Sequence, residues 1–340
     1  MRVTFICRYT RELTGVVRSI LMGLYELGCK AQEINVAGRP DLLDNPMGHR
    51  GGNGPVAVRL RRIEAELAAF GPDVIIFCAG GLTFCPKDMA QVKARYPVVG
   101  ITLSDPDVFP TVSRYAGTFT MHTTNSPLAL SWYRSEGIHN TVLLPFAVDS
   151  RFFVPWPVDA RYRADVAVIG HAWPERLPIA ERLVEEFTTR LYGNNWPWAS
   201  SGPVHGDDWF RAAWSARCLV NFPRTRAGHI NVKVGLFEAT ATGRLVCTEF
   251  FEEMGLYFAY GHEVVGYSGA DDLVAKLRYY LSHPEEAERV ARAGQLRCGT
   301  DHTWARRLSV LFTRLDGILR NEGSSFPVSQ GFPLSRQTRT

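Results

Sequence analysis

The chain has 340 residues, with 38 Lys+Arg against 34 Asp+Glu and a formal net charge of +4 at pH 7. Hydrophobic residues make up 46% and charged residues 21%, an ordinary globular composition that excludes a disordered chain, a collagen-like chain and a long coiled coil. The charge surplus is small and no Lys/Arg-rich run occurs, so nothing points to a nucleic-acid partner.

In chain order, residues 3–7 (VTFIC) read as a strand. A helix with apolar Val16, Ile20, Leu21, Leu24 and Leu27 follows and stops at Gly28. A second strand spans 31–36. Residues 38–55 are dense in Gly, Pro and Asn and read as a loop. The pattern predicts a helix over 56–70 with an Arg-rich outer face, then a buried strand over 73–79 ahead of the Gly80–Gly81 turn. Strands are expected at 98–103, 118–122 and 141–146, with a helix at 126–136 between the last two. The second half repeats this grammar. Strands are predicted at 165–169, 190–192, 218–222, 245–248 and 263–267, and helices at 176–187, 208–216, 234–242, 272–282, 285–298 and 303–320. The tail from Asn321 is polar and rich in Ser, Gly and Gln, and is expected to be loose.

Strands alternating with helices at this spacing imply parallel sheets with helices on both faces. The expectation is an α/β chain of two Rossmann-like domains facing a cleft, 1–150 and 151–320, followed by a flexible tail, 321–340. The Val154-Pro155-Trp156-Pro157 segment reads as a stiff joint. Ligands of such folds sit at the carboxyl ends of the strands. The seven Cys are scattered without a C-x-x-C pair, which argues against a disulfide framework or zinc ribbon and for a reducing compartment. Met1 leads straight into a strand-like run, and no apolar stretch reaches the ~20 residues of a membrane span. A soluble, cytoplasmic protein without stable membrane insertion is expected.

The densest chemical signal lies between Asn221 and Thr248. A strand ends at Asn221, a loop carries Arg224, Arg226, His229 and Lys233, and a helix then opens with Glu238 in it. A helix N-terminus backed by cations suits a phosphate, and a carboxylate a turn inside suits the hydroxyls of a ribose. A solvated basic loop with a surface Glu is the plain alternative. Glu238-Ala239-x-Ala241-x-Gly243 is similar to the EAxAxG motif of glycosyltransferases of the two-Rossmann (GT-B) type. With DVAVIGHAWPER, RLYGNNWP and the run from Phe237 to Arg307, the chain resembles the CgeB-like, spore-maturation-protein glycosyltransferases over roughly residues 100 to 312.

That resemblance implies a nucleotide-diphosphate sugar, UDP type as the first expectation, held by the second domain. A small-molecule or glycan acceptor would sit mainly on the first, and the oligomeric state is left open. It assigns Glu238 to the ribose, and Arg224, Arg226 and Lys233, with His229 nearby, to the diphosphate. Gly170 and Arg176 would face the phosphates. Tyr192, Gly193, Asn194 and His205 lie where relatives hold the base, and Thr248 ends a strand near the sugar. The loop with Tyr9, Arg11, Thr14 and Gly15 would approach the acceptor. Ile230 and Gly235 depart from the family, standing where relatives carry a second Glu and an Arg. His122 and Asp105 are the candidates for a base on the acceptor. A structural, hydrogen-bonded His122 is the alternative for the first. The Asp105-Pro106-Asp107 run reads as a strand-ending turn rather than a metal site, so neither metal nor cofactor is expected. The Trp196, Trp198, Trp209 and Trp214 group suits either stacking on a ligand or packing. A role in natural-product or cell-surface glycoside synthesis is the broad expectation. An epimerase or hydrolase of the same fold, or a catalytically inactive sugar-nucleotide-binding protein, remains open beside it.

Overall fold

The computed structural model describes residues 1–8, 15–43, 56–78, 82–198, 200–225 and 227–321. In chain order the first lobe contains β1 (Arg2–Cys7), α1 (Val16–Glu26), β2 (Lys30–Asn35), β3 (Val56–Val58), α2 (Glu64–Phe70), β4 (Val74–Cys78) and β5 (Leu82–Phe84). It continues with α3 (Pro86–Lys93), β6 (Val98–Ile101), α4 (Phe109–Ala116), β7 (Met121–Thr124), α5 (Pro127–Ser135) and β8 (Thr141–Leu143). The second lobe contains β9 (Ala164–Ile169), α6 (Leu177–Glu186), β10 (Thr189–Tyr192), α7 (Asp207–Ser215), β11 (Ala216–Asn221), α8 (Val234–Ala241), β12 (Leu245–Glu249) and β13 (Val265–Tyr267). Helices α9 (Ala270–Ser282), α10 (Pro284–Asp301) and α11 (Trp304–Asn321) close the chain.

Two large parallel sheets result, ordered β2-β1-β4-β6-β7-β8 and β10-β9-β11-β12-β13, beside a two-stranded one of β3 and β5. The β4 segment VIIFC is buried throughout, as a parallel strand covered on both faces must be. The α/β, two-Rossmann architecture expected from the alternation is therefore present. One stretch differs. Residues 56–58 form a short strand paired in parallel with β5, and the helix of that region begins only at Glu64. Val58 is β-branched and favours the pleated surface. The α3 and α4 helices, each opening with Pro in its first turn, were not expected from the periodicity.

The last helix, α11, leaves the second lobe and packs on α1 of the first. Gly23 makes this possible, because a Cβ there would stand 2.5 Å from the Trp304 Cβ. Thr303 caps α11 through its hydroxyl, which accepts from Arg306 N at 3.2 Å. Just before the helix, Val148 of the linker donates to the His302 carbonyl at 3.0 Å and accepts from Trp304 N at 2.8 Å. Asp149, fully buried, accepts from Ser19 Oγ at 2.5 Å and from Arg151 Nη2 at 2.7 Å. The linker is thus bonded to α1 on one side and to the start of α11 on the other. Phe152, Trp209, Phe237, Trp304 and Leu308 join one buried cluster with Phe5 and Ile101 of the first sheet, so the lobes share a core.

Candidate functional site

The strands of the second sheet end on the side that faces the first lobe. After β11 the chain turns back as a tight hairpin. Thr225 N donates to the His229 carbonyl at 2.8 Å, Asn231 N donates to the Pro223 carbonyl at 3.1 Å, and Arg224 bridges Ile230. This hairpin carries Arg224 and His229, and it is docked across the gap rather than turned to bulk water. Thr225 Oγ1 donates to Asp107 Oδ1 at 2.8 Å. Asn231 Nδ2 donates to the Asp105 carbonyl at 2.7 Å. The His229 ring meets Trp132 of α5 edge-on at 5.7 Å.

Beneath the hairpin is a cavity of about 70 Å³ lined by Trp173, Arg176, Phe222, Arg224, Thr225 and Glu249. Arg176 is buried, with its guanidinium over the Phe222 ring at 5.2 Å. It donates through Nη1 to the His171 carbonyl at 2.6 Å and through Nη2 to the Arg224 carbonyl at 3.4 Å, while its Nε is enclosed without a partner. Lys233 Nζ donates to the same Arg224 carbonyl. Neither cation forms an ion pair among the described residues. Burial pulls Arg176 down to about 10. It pulls Lys233 down to about 8, with Arg176 adding to the effect and Asp107 opposing it. Arg224 is different: its side chain pairs with Glu249 at 2.6 Å, so it is neutralised in place. The two desolvated, unpaired cations are Arg176 and Lys233, and a buried cation without a counter-charge is costly unless an anion completes it.

Glu238 lies on α8, a turn past Lys233. Its carboxylate makes no hydrogen bond among the described residues. Burial pushes it up to about 8, Asp149 adds to this, and Arg151 opposes it. The linker residues that lock the lobes therefore also set the electrostatics of Glu238.

The remaining expected positions distribute as follows. Gly170 ends β9, where its carbonyl accepts from Trp196 Nε1 at 2.9 Å. Gly193 has φ +130°, and a Cβ on it would sit 2.3 Å from the Gly170 carbonyl oxygen, so only Gly fits against that strand end. Asn194 N donates to His171 Nδ1 at 3.1 Å. Tyr192 is buried with an unpartnered hydroxyl. His205 is exposed. Thr248 is buried and donates to Asn221 Oδ1 at 3.3 Å. Gly15 precedes α1 as its N-cap. Tyr9, Arg11, Thr14 and Arg226, like the expected tail, lie outside the described residues, apart from Asn321, where α11 ends. Trp196 and Trp209 are buried, Trp209 packing on Phe152 at 5.3 Å. Arg244 covers Trp214 at 5.3 Å.

Two catalytic candidates do not reach the gap. His122 is fully buried, with Nε2 2.9 Å from Thr102 Oγ1 and Nδ1 3.0 Å from Thr141 Oγ1. Its ring stacks on Phe119 at 5.9 Å, and burial pulls it down to about 3. It is a neutral, fully partnered core histidine, so it cannot take a proton from an acceptor. Asp105 is buried too. Its carboxylate accepts from Thr124 Oγ1 at 2.6 Å and Tyr133 OH at 3.2 Å, and burial pushes it up to about 6. It supports the turn on which the hairpin docks. The Asp107 carboxylate accepts from Thr225 Oγ1 instead.

Residues 151–313 match the model of a family described as glycosyl transferase-like. The chain is 25% identical over 266 residues to Spore protein CgeB of Bacillus subtilis (strain 168), covering 70% of this chain and 80% of that one. The likeness to CgeB read from the motifs therefore stands. Among solved structures it is similar to sucrose-phosphate synthase from Thermosynechococcus elongatus, with a TM-score of 0.61, 12% identity and coverage of 92% and 99%. It is also similar to Anabaena HepE in complex with UDP-glucose, with a TM-score of 0.62, 11% identity and coverage of 93% and 100%. Both share with it the GT-B fold. No helix among the described residues is long and apolar enough to cross a membrane.

Proposed function

We propose, for a CgeB-like chain whose residues 151–313 form a glycosyl transferase-like domain, that this protein transfers a sugar from a nucleoside-diphosphate sugar of the UDP type to an acceptor in the gap. The observation that carries the reading is the pair of a buried Arg176 and a half-buried Lys233, neither in an ion pair among the described residues, converging on the Arg224 carbonyl at the strand ends. Displacement at an anomeric carbon leaves a nucleoside diphosphate on which negative charge grows. Two pre-desolvated cations meet that charge at full strength. They supply the neutralisation a divalent metal would otherwise give, and the reading is metal-independent on that ground. Glu238, with no hydrogen bond of its own, accepts the two ribose hydroxyls. Glu249 holds Arg224 beside the sugar position.

The test is a panel of nucleotide sugars against the full chain, with binding read by thermal shift and turnover by nucleoside diphosphate release. Ligand at 100 times its Kd adds about 2.7 kcal/mol of stability. The expected result is a rise in Tm with a UDP sugar and release of UDP once an acceptor is present. No shift with any nucleotide overturns the reading. Release without any acceptor would favour hydrolysis or isomerisation of the donor instead.

A further inference from the structure

A second, larger cavity has no part in the site above. It measures about 430 Å³ and lies between the chain that follows β8 and the junction of α10 with α11. Four arginines line it, Arg297, Arg306, Arg307 and Arg314, against one carboxylate, Asp301. Asp301 is bonded to Arg297 at 2.9 Å, which leaves three formal positive charges uncompensated by the other lining residues. The polar inventory is also incomplete. Arg297 Nε, Arg307 Nε and the Tyr257 hydroxyl are enclosed without a hydrogen-bond partner.

The neighbouring histidine does not help. His302 Nε2 lies 2.8 Å from the Tyr257 carbonyl, which only accepts, so the ring proton sits on Nε2. Nδ1 then accepts from Arg307 Nη2 at 2.7 Å. The imidazole is neutral and orients Arg307 without adding or removing charge. The rim is apolar, with Leu256 at 59% and Val310 at 43% exposure. Exposed large aliphatics beside a cationic floor fit a ligand with both an anionic head and an apolar body.

We propose that this pocket binds a phosphate ester carrying an apolar substituent, its phosphate on Arg306, Arg307 and Arg314 and its apolar part on Leu256 and Val310. Guanidinium forks match tetrahedral oxyanions. The pocket shares no residue with the cavity under the basic hairpin. It touches the linker, because the His302 backbone carbonyl accepts from Val148 N at 3.0 Å. The ester has two sources, a soluble organic phosphate or a phospholipid headgroup, and both offer the same chemistry.

The experiment is calorimetric titration of the full chain with phenyl phosphate, with phenol as the uncharged control, in the absence and presence of saturating UDP. The variant is Arg306→Glu/Arg314→Glu. Both side chains are exposed and make no hydrogen bond among the described residues, and circular dichroism checks that the variant folds. Phenyl phosphate is expected to bind where phenol does not, to bind equally with UDP present, and to lose at least about tenfold in affinity in the variant. No binding, unchanged affinity in the variant, or displacement by UDP overturns the proposal. In parallel, vesicles of phosphatidylglycerol and of phosphatidylcholine are sedimented with the chain. Retention on phosphatidylglycerol alone, lost in the variant, assigns the headgroup as the source. Absence of retention with phenyl phosphate still bound assigns a soluble ester.

Discussion

Acidification separates a structural His122 from a catalytic one. Folded, the ring is enclosed and burial holds it down at about 3. Unfolded, it returns to about 6.5. Between those values the unfolded chain binds the extra proton, so stability rises with pH through the window and is lost as pH falls. Going from about pH 7 to about pH 4 therefore removes roughly 3 kcal/mol through this residue alone. His302, pulled down to about 4 by burial, acts in the same direction. Asp105 and Glu238, pushed up to about 6 and about 8, act in the opposite one. Comparison with His122→Gln cancels these shared contributions. The assay is urea unfolding of both proteins across that pH range. The stability advantage of the parent over the variant is expected to shrink by about 3 kcal/mol at the acid end, with turnover of the folded variant close to that of the parent. A pH-independent difference, or lost turnover with stability intact, would refute the placement of His122 in the core.

Other outcomes follow from the same geometry. Gly193→Ala puts a Cβ 2.3 Å from the Gly170 carbonyl at φ +130° and is expected to lower stability by about 2 kcal/mol or more in thermal unfolding. Lys233 is charged below about 8, so the affinity of the free protein for UDP is expected to fall as pH rises through that value. Lys233→Met should flatten that part of the profile, and an unchanged profile in the variant would exclude the residue. Turnover is expected to survive EDTA. A loss restored by Mg²⁺ or Mn²⁺ would show that the cations of the site do not suffice.

The sheet strands were legible because a parallel strand covered on both faces is an apolar run, as in VIIFC at β4. Residues 56–58 were not, since three residues carry no period and their strand character comes from pairing with β5. The destination of α11 was also hidden, because the small residue that admits it, Gly23, lies some 280 positions upstream of Trp304. At the site, residue type singled out Lys233 and Glu238, and the family resemblance added Arg176. It did not reveal that Arg224 is consumed by Glu249, nor that Asp149 and Arg151 of the linker sit electrostatically beside Glu238. His122 looked available because it ends a strand. Whether a strand end opens on a cleft depends on the layers above it, here Phe119 and Tyr133, and those are tertiary facts.

The account rests on a nucleoside diphosphate lying between the basic hairpin and Glu238, and the affinity of UDP for the parent and for Glu238→Ala tests it most directly. Two hydrogen bonds to the ribose at about 0.5–1.5 kcal/mol each come to about 1–3 kcal/mol, so the variant should bind UDP more weakly by about tenfold or more while unfolding at no lower temperature. Equal affinity in the two proteins would contradict the account.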